Sequence, residues 1–384
     1  MRSDLSVEAK QTFQVVALLA TILVVGIHYK SDVPDFADPA NATWNELIQE
    51  FLFGGIGRVA VPLFAFAAGL FYFRSDDGTF ATYRKKLSHR TRSVFLPYFI
   101  IGSIAFTSWL MVRRFEGNPV QMTPGSFLAT WLLRPPAEQL WFLRDLLVLV
   151  LFAPLIRRVT SNRWTQMISV GIITCLWAAN WQVFPMVAGW HLVHMETLLF
   201  FMLGCIAVSK IHWIEVVGRA PRAMFLGLCL IWIDLVVLRI CRRADFDIWY
   251  ATDYGWNDLL LHQFSVIVGC FALFMLAWRI RCGFLIRLSG ASFFVYLIHE
   301  FPLRAVVERV SDRVLNQSIA CWVETPLVLL GCFGIALVLN KACPSLIAVL
   351  TGGRTPKSAA QITNKEPHIP NHSGNEAANT AAAS

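Results

Sequence analysis

Apolar runs of membrane-spanning length recur along the chain, and they constrain its fold more than any other feature. The first, QTFQVVALLATILVVGIHY at residues 11–29, is interrupted after Gln14 only by Thr21 and has His28 at its end. An α-helix needs about 20 apolar residues to cross the hydrocarbon core of a bilayer. Charged residues make up only 15% of the chain, against about 25% in a soluble domain. The sequence therefore predicts a polytopic membrane protein.

Ten such runs predict an all-α bundle of about ten transmembrane helices. They cover residues 11–29, 52–73, 93–112, 139–156, 166–186, 192–209, 223–240, 259–278, 284–303 and 319–340. Residues 1–345 would then form one membrane-embedded domain. Residues 346–384 are rich in Ala, Asn, Ser, Pro and Thr, so we expect a disordered cytoplasmic tail.

The basic residues predict the orientation of the bundle. Of the 33 Lys and Arg residues, 21 lie in the N-terminus, the even-numbered loops and the tail, and 10 lie in the opposite loops. The positive-inside rule then places both termini in the cytoplasm. The same loop bias explains the net charge of +8, so we expect a lipid bilayer and no nucleic acid as partner.

Ten ionisable side chains lie inside the predicted spans or at their ends, all toward the predicted outer face. Isolated charges in lipid are costly, so such residues usually face a partner or a wet cavity. The alternative is that some mark misplaced span ends or snorkel to the surface, which suits His262 and Glu300 best. We expect a polar cavity open to the outside, formed by His28, Arg58, Arg144, Asp145, His194, Glu196, Asp234, His262, His299 and Glu300.

The second loop, RSDDGTFATYRKKLSHRTRSVFLPY, is strongly basic. Most such runs only set topology. This one is dense and adjoins two helix ends, so its cations could also bind the phosphates of a cytoplasmic nucleotide-like donor. The candidate donor-binding residues are Arg84, Lys85, Lys86, Arg90 and Arg92.

Metal chemistry is not predicted. The nine cysteines have no CxxC or Cys/His metal spacing and are interpreted as small buried apolar residues. In HLVHME, His191 and His194 are three residues apart and could face one metal site. A polar substrate wall or an interfacial helix start is the preferred interpretation of this segment.

Five patterns, in order, resemble the acyltransferase-3 family of bacterial multi-spanning O-acyltransferases. The first helix ends in VVGIH. The second reads RVAVPLFAFAAGLF, similar to the family's V-P-L-F-F-x-x-S-G-Y/F. The others are YRKKLSHRTRSVFLPY, the L-W-F-L pattern in QLWFLRDLLVLVLFAPLI, and the S-x-x-x-Y-x-x-H segment in LSGASFFVYLIHE. The resemblance covers about residues 11–340.

The resemblance implies that His28 is the catalytic histidine. It also implies acyl-CoA, expected as acetyl-CoA, as the co-substrate, with no bound cofactor and with Arg90 or Arg92 near the coenzyme A. The acceptor would be a hydroxyl of a cell-envelope saccharide or saccharide lipid at the outer face of a bacterial inner membrane. His299 matches the late histidine of the family pattern, and we expect it, with His194, Asp234 and Glu300, to line the acceptor cavity.

The sequence departs from the family pattern at three positions. Ala17 stands where the family often has an arginine, eleven residues before the histidine. Gln14 replaces the usual aspartate three residues before that arginine, and Ala68 replaces the serine of the second helix. Arg58 is a candidate substitute for the missing cation, as a hypothesis.

O-acylation needs a base or an initial acyl acceptor, and donors or cations for the developing oxyanion. His28 can serve as the base or acyl acceptor. Arg58 or Arg144 could stabilise the oxyanion, and Asp145 or Glu196 could orient the imidazole, as a carboxylate does in a catalytic triad.

The alternative function is a transporter or flippase for a lipid-linked glycan without acyl chemistry. Such proteins often have internal repeats and broken helices near the middle of the membrane. The sequence has no clear repeat, and its ionisable groups lie toward one face, so the enzyme is preferred.

Overall fold

A computed structural model describes residues 4–30, 42–187, 189–242, 255–301 and 303–353. These residues are almost entirely helical, which confirms the all-α prediction. The two strands among them, β1 (Met186–Val187) and β2 (Trp190–His191), each have two residues and pair in antiparallel fashion.

The described part of the first half contains nine α-helices. They are α1 (Val7–His28), α2 (Trp44–Gln49), α3 (Ala60–Arg74), α4 (Phe80–Arg90), α5 (Leu96–Phe115), α6 (Pro124–Leu133), α7 (Trp141–Leu151), α8 (Ala153–Ser161) and α9 (Arg163–Ala178). Short π and 3₁₀ segments extend several of them: Glu50–Gly55 and Ile56–Val59 join α2 to α3, Thr91–Phe95 joins α4 to α5, and Glu138–Leu140 precedes α7.

The described part of the second half also contains nine α-helices. They are α10 (Met195–Ala207), α11 (Ile211–Gly218), α12 (Arg222–Arg242), α13 (Trp256–Ile280), α14 (Gly283–Ser289), α15 (Ser292–Ile298), α16 (Leu303–Val314), α17 (Gln317–Ala342) and α18 (Pro344–Leu350). A 3₁₀ turn, Val208–Lys210, joins α10 to α11.

Seven helical segments of the described chain are long and apolar enough to cross a bilayer, so the protein is a multi-pass membrane protein. They are Val7–His28, Trp44–Arg74, Phe80–Phe115, Met195–Gly218, Arg222–Arg242, Trp256–Ile280 and Ile319–Ala342. An eighth results if Glu138–Leu151 and Ala153–Ser161, which are bent by 63° relative to each other, form one span. The predicted count of ten is not confirmed.

Local breaks explain the difference from ten. In the predicted span 139–156 the bend lies next to Pro154, which has no N–H for the helix ladder. The predicted span 166–186 yields only the 16-residue α9, because the chain leaves the helix at Asn180, whose φ of 50° is left-handed. The predicted span 284–303 is two seven-residue helices, separated by Gly290 and Ala291.

Helix α1 lies at the centre of the bundle. It packs against α3, α13, α14, α15 and α17, and buried residues occur on all of its faces. A helix that is apolar all round is normally an interior helix. The fold therefore brings the end of α1, with His28, among several other helices.

Helices α3 and α10 cross with their backbones in contact. A Cβ atom added at Gly69 would lie 2.1 Å from the carbonyl oxygen of Phe201, and one added at Gly204 would lie 2.2 Å from that of Phe66. Small residues permit this close approach of helices in membranes. The two glycines thus set the spacing of the helices that lead to Arg58 and Glu196.

Both described ends of the chain lie at the same end of the bundle. Asp4 forms a 3.4 Å ion pair with Arg74 at the end of α3, and Gly352 packs on the backbone of Ser93. We call this the terminal end, and the opposite end, with His28, the histidine end. The predicted tail 346–384 begins instead with helix α18, whose Ile347 is fully buried; residues 354–384 lie outside the described residues.

Candidate active site

His28 and His299 meet at the histidine end. His28 is the last residue of α1 and is half-buried. The centroid of its ring lies 5.1 Å from that of His299, which follows α15 and is 0% exposed. Two histidines far apart in sequence thus form one imidazole pair.

His299 is held firmly by backbone groups. Its Nδ1 lies 2.9 Å from the carbonyl oxygen of Tyr296 and 3.2 Å from that of Val295. Its Nε2 is buried and has no hydrogen-bond partner among the described residues. The hydroxyl of Tyr29 donates a 2.7 Å hydrogen bond to the carbonyl oxygen of His299, which ties the segment after α1 to α15.

Arg58 lies beside His28. Its 3₁₀ turn packs on α1, where a Cβ at Gly57 would be 3.0 Å from Cγ1 of Ile27. The guanidinium is within electrostatic reach of both His28 and Glu196. Eleven residues of helix rise about 16 Å, so Arg58 supplies a cation next to the histidine and does not occupy the place beside Ala17.

Glu196 joins this cluster from α10. The indole Nε1 of Trp177 donates a 3.2 Å hydrogen bond to its carboxylate. The side-chain amide of Gln263 donates to the carbonyl oxygen of Trp177 at 3.0 Å, and its own Oε1 is buried without a partner among the described residues. Helices α9, α10 and α13 thus bring a carboxylate, an indole and an amide together near Arg58.

Asp145 forms a pair with His194, and not with His28. One carboxylate oxygen lies 2.9 Å from both the backbone nitrogen and the ring Nδ1 of His194, and the other accepts a 3.0 Å hydrogen bond from Arg144. Arg144 also donates to the carbonyl oxygens of Leu133, at 3.1 Å, and His191. Asp145 therefore orients His194, while Arg144 is engaged in this structural network.

Glu300 and His262 are buried, which corrects the expectation that they mark misplaced span ends or snorkel. The carboxylate of Glu300 lies near the backbone of Glu138 and Gln139, at the start of the 3₁₀ turn that leads into α7, and near Arg304.

Asp234 does not join the cluster. The buried residues of α12 are Trp232, Val236, Arg239 and Ile240, which define one face. Asp234 lies off that face and is exposed, next to the exposed Ile233. The sequence predicts Asp234 in the acceptor cavity, and the structure corrects this. Helix periodicity places Asp234 on a different face of α12 from the buried residues.

A buried ion-pair network was missed by the sequence analysis. Arg239 and Glu50 form an ion pair and are 1% and 2% exposed as side chains, and Lys30 binds the other oxygen of Glu50. Arg239 and Lys30 are among the 10 basic residues that the sequence places in the opposite loops. The signal was available for Arg239, which lies seven residues after Trp232 and so shares its helix face.

The basic segment at the terminal end divides into exposed and engaged cations. Arg84, Lys85 and Arg92 are exposed. Lys86 lies 3.6 Å from Asp76 and donates to the carbonyl oxygen of Tyr72. Arg90 is half-buried, with its guanidinium 5.9 Å from the centre of the Tyr72 ring.

A narrow crevice enters the bundle beside Arg90. It lies between α3, α7 and α10, and Ala68, the position where the family pattern has serine, is part of its wall. The other lining residues are Tyr72, Arg90, Val94, Leu146, Leu147, Val150 and Phe201. The crevice is thus basic at its mouth and apolar along its length.

Asp77 caps the start of α4. Its carboxylate accepts hydrogen bonds of 2.8 Å from the backbone nitrogen of Thr79 and from the hydroxyls of Thr79 and Thr82. The Thr79 backbone bond, followed by the two hydroxyl bonds, lowers the pKa of Asp77 to about 2.

Metal binding finds no support in the described residues, where no group of three or more His, Cys, Asp or Glu side chains is placed to hold an ion. In the HLVHME segment, Nδ1 of His191 lies 3.1 Å from the carbonyl oxygen of Phe184, and that of His194 lies against Asp145.

Comparisons with known proteins agree with this architecture. The family model described as an acyltransferase domain, that of the acyltransferase-3 family, matches residues 16–341. The succinoglycan biosynthesis protein ExoH of Rhizobium meliloti (strain 1021) is 26% identical over 369 residues, which cover 92% of this chain and 94% of ExoH. No solved structure matches the chain significantly. The chain therefore belongs to the acyltransferase-3 family and is a multi-pass membrane acyltransferase.

Proposed function

We propose that the protein transfers an acyl group, expected to be acetyl, from cytoplasmic acyl-CoA to a hydroxyl of a cell-envelope saccharide or saccharide lipid at the outer face of a bacterial inner membrane. Family membership supports the acyl transfer. The name of ExoH, a succinoglycan biosynthesis protein, supports a saccharide acceptor. The observation that carries the proposal is the imidazole of His28 beside Arg58 and His299, at the end of the central helix.

The chemistry requires His28 with one unprotonated nitrogen. In one route this nitrogen takes the proton of the acceptor hydroxyl while the oxygen attacks the thioester carbonyl. The C–O bond forms, the C–S bond breaks, and the proton passes to the departing coenzyme A thiolate. In the other route the nitrogen attacks the thioester carbonyl, the N–C bond forms, and the C–S bond breaks with release of the coenzyme A thiolate. The acceptor oxygen then attacks the acyl-imidazole, the N–C bond breaks, and the hydroxyl proton passes to the thiolate. His28 is essential in both.

Arg58 is the better candidate for the oxyanion. Both terminal nitrogens of Arg144 donate to fixed groups, namely Leu133, His191 and Asp145. Arg58 lies within electrostatic reach of His28, where charge develops on the carbonyl oxygen. A cation preorganised in a water-poor site stabilises such charge strongly.

For the donor, we propose that the exposed Arg84, Lys85 and Arg92 bind the coenzyme A phosphates and that Arg90 guides the acyl arm into the crevice. Lys86 is engaged with Asp76 and Tyr72, so its role is to hold α4 in place. Apart from Tyr72, the other side chains that line the crevice are apolar.

The alternative, a transporter without acyl chemistry, has one feature in its favour, since α7 and α8 form a broken helix of the kind found in transporters. Family membership favours acyl transfer instead. A saccharide bound near His28 would then be the acceptor of a reaction.

The proposal is tested with membranes from cells that lack the gene and carry either the wild type or His28→Ala. Labelled acetyl-CoA is added, and label is measured in saccharide and lipid fractions. We expect transfer by the wild type and its loss in His28→Ala. His212→Ala, which alters an exposed histidine on α11, is the matched control and should transfer normally. Transfer that survives His28→Ala would refute the catalytic assignment, and glycan export without any transfer would favour the transporter.

A further inference from the structure

We infer that His299 is a positioning residue that fixes the tautomer and the ring orientation of His28. The inference rests on the proposed function in so far as it makes His28 the reacting group. Its structural part, that His28 donates a hydrogen bond to His299, is inferred from the contact of the two rings and from the unpartnered Nε2 of His299 among the described residues.

The tautomer of His299 follows from its neighbours. Both groups beside its Nδ1 are carbonyl oxygens, of Tyr296 and Val295, and a carbonyl oxygen can only accept. Nδ1 therefore carries the hydrogen, and in a neutral imidazole Nε2 then has a lone pair. This buried lone pair has no partner among the described residues, so the site contains one unused acceptor next to His28.

His28 is placed to use that acceptor. With ring centroids 5.1 Å apart, nitrogens that point at each other come within reach of a hydrogen bond of about 2.9 Å. His28 ends α1, and the ring of His299 is held at Nδ1 by two backbone carbonyl oxygens. Because Nε2 of His299 can only accept, His28 must donate.

The donated hydrogen bond determines what the other nitrogen of His28 can do. If one ring nitrogen carries the hydrogen, the other has the lone pair and is the base or nucleophile. In serine proteases a carboxylate selects the tautomer of the histidine in this way. Here a neutral imidazole takes that role, and Asp145 is committed to His194.

The surroundings hold His299 in place from two further directions. Tyr29, the residue after His28, donates to the carbonyl oxygen of His299. The side-chain amide of Gln139 donates to the carbonyl oxygen of Leu297 at 2.9 Å, and the hydroxyl of Tyr296 donates to the carbonyl oxygen of Gln139. The acceptor nitrogen is thus fixed relative to both α1 and α7.

Two substitutions of His299 test the roles of its two ring nitrogens one at a time. In His299→Asn the amide can still donate where Nδ1 did, but the acceptor at Nε2 is lost. In His299→Gln an amide oxygen can take the place of Nε2. We expect His299→Asn to lower kcat for acyl transfer by about tenfold or more, as loss of a supporting hydrogen bond does elsewhere, with KM for acetyl-CoA unchanged. His299→Gln should keep more of the activity.

A second measurement does not depend on acyl transfer. In protein labelled with ¹⁵N at its nine histidines, the ring signals of His28 and His299 are assigned with single variants. We expect one tautomer for each ring in the wild type, a coupling across the His28–His299 hydrogen bond, and mixed tautomers of His28 in His299→Asn.

The outcomes are distinct. The inference is overturned if both variants lose activity equally and the wild type shows no NMR coupling between the rings of His28 and His299. It is also overturned if the tautomer of His28 is unchanged in His299→Asn. If the wild type shows the coupling between the two rings, and His299→Asn changes the tautomer of His28, the inference is supported. If the same wild-type protein transfers no acyl group, the proposed function is refuted.

Discussion

Asp145 lies with one carboxylate oxygen 2.9 Å from both the backbone nitrogen and the ring Nδ1 of His194. The contact joins α7 to the start of α10, and the edge of the Trp141 ring packs on the imidazole, with centroids 4.6 Å apart. A fully buried carboxylate thus has a histidine and an arginine other than the proposed catalytic residues as its partners.

Loss of this carboxylate charge should destabilise the protein. In Asp145→Asn the buried Arg144 loses its counter-ion, and breaking a buried ion pair costs about 3 kcal/mol or more in unfolding free energy. Thermal unfolding in detergent measures the loss. Asp234→Asn removes an exposed carboxylate from α12 and should change stability by less than about 0.5 kcal/mol. Equal effects of the two variants would contradict the structural role of Asp145.

Removal of the cation beside His28 should slow catalysis. We expect Arg58→Ala to lower the acyl-transfer rate at saturating acetyl-CoA by about 100-fold, because the developing oxyanion loses its stabilising charge. Arg58→Lys should retain part of the rate. Arg219→Ala, which alters an exposed arginine after α11, provides the control. A normal rate in Arg58→Ala would exclude Arg58 from the reaction.

Salt and the charge of α4 should affect the binding of acetyl-CoA and not the later transfer to the acceptor. Arg84→Glu combined with Lys85→Glu should raise KM for acetyl-CoA and leave kcat unchanged, because these exposed cations attract the phosphates. The wild-type KM should rise between about 50 and 200 mM salt, since salt screens exposed charges. Arg163→Glu, elsewhere on the exposed surface, serves as the comparison. A KM that does not respond to the double substitution would remove α4 from the donor site.

The glycine contact between α3 and α10 should not tolerate a methyl group. Gly204→Ala places a Cβ 2.2 Å from the Phe66 carbonyl oxygen, so the helices must separate and the melting temperature should fall. Gly171→Ala, in α9 with open space around it, should instead stabilise its helix by about 0.5–1 kcal/mol. If both variants melt alike, the contact does not determine the packing.

Acid should loosen the start of α4. The folded pKa of Asp77 is about 2, below the value of about 3.9 in an unfolded chain. Its contribution is therefore complete above about pH 4 and is lost as the pH falls toward 2. Hydrogen exchange of the first turn of α4 should be faster in Asp77→Asn than in the wild type at neutral pH, with the difference vanishing at low pH. A constant difference would assign the effect to another group.

The sequence was sufficient to predict that His28 and His299 both lie toward one end of an all-α membrane bundle, because apolar length and helix ends are local properties. It could not predict that Asp145 pairs with His194, because nothing local says which helices touch. It also placed Asp234 inside and Arg239 in a loop. In a membrane the faces toward lipid and toward protein are both apolar, so hydropathy alone does not distinguish them.

The breaks at Pro154, Asn180 and Gly290 had local signals, a proline, an asparagine able to adopt positive φ, and a glycine. A window of mean hydropathy averages over such single residues. The predicted span count of ten is therefore not confirmed where an apolar run folds as short or bent helices.

The backbone contact of Gly69 with Phe201 and of Gly204 with Phe66 has a mechanical consequence. No side chain lies between α3 and α10 there, so no rotamer change can let them part or slide. The backbone contact therefore fixes the spacing of the two helices at this crossing, and Arg58 and Glu196 lie at their starts. The crevice beside Arg90 shares these two helices, so its third wall, α7, is the one left to move when an acyl arm enters.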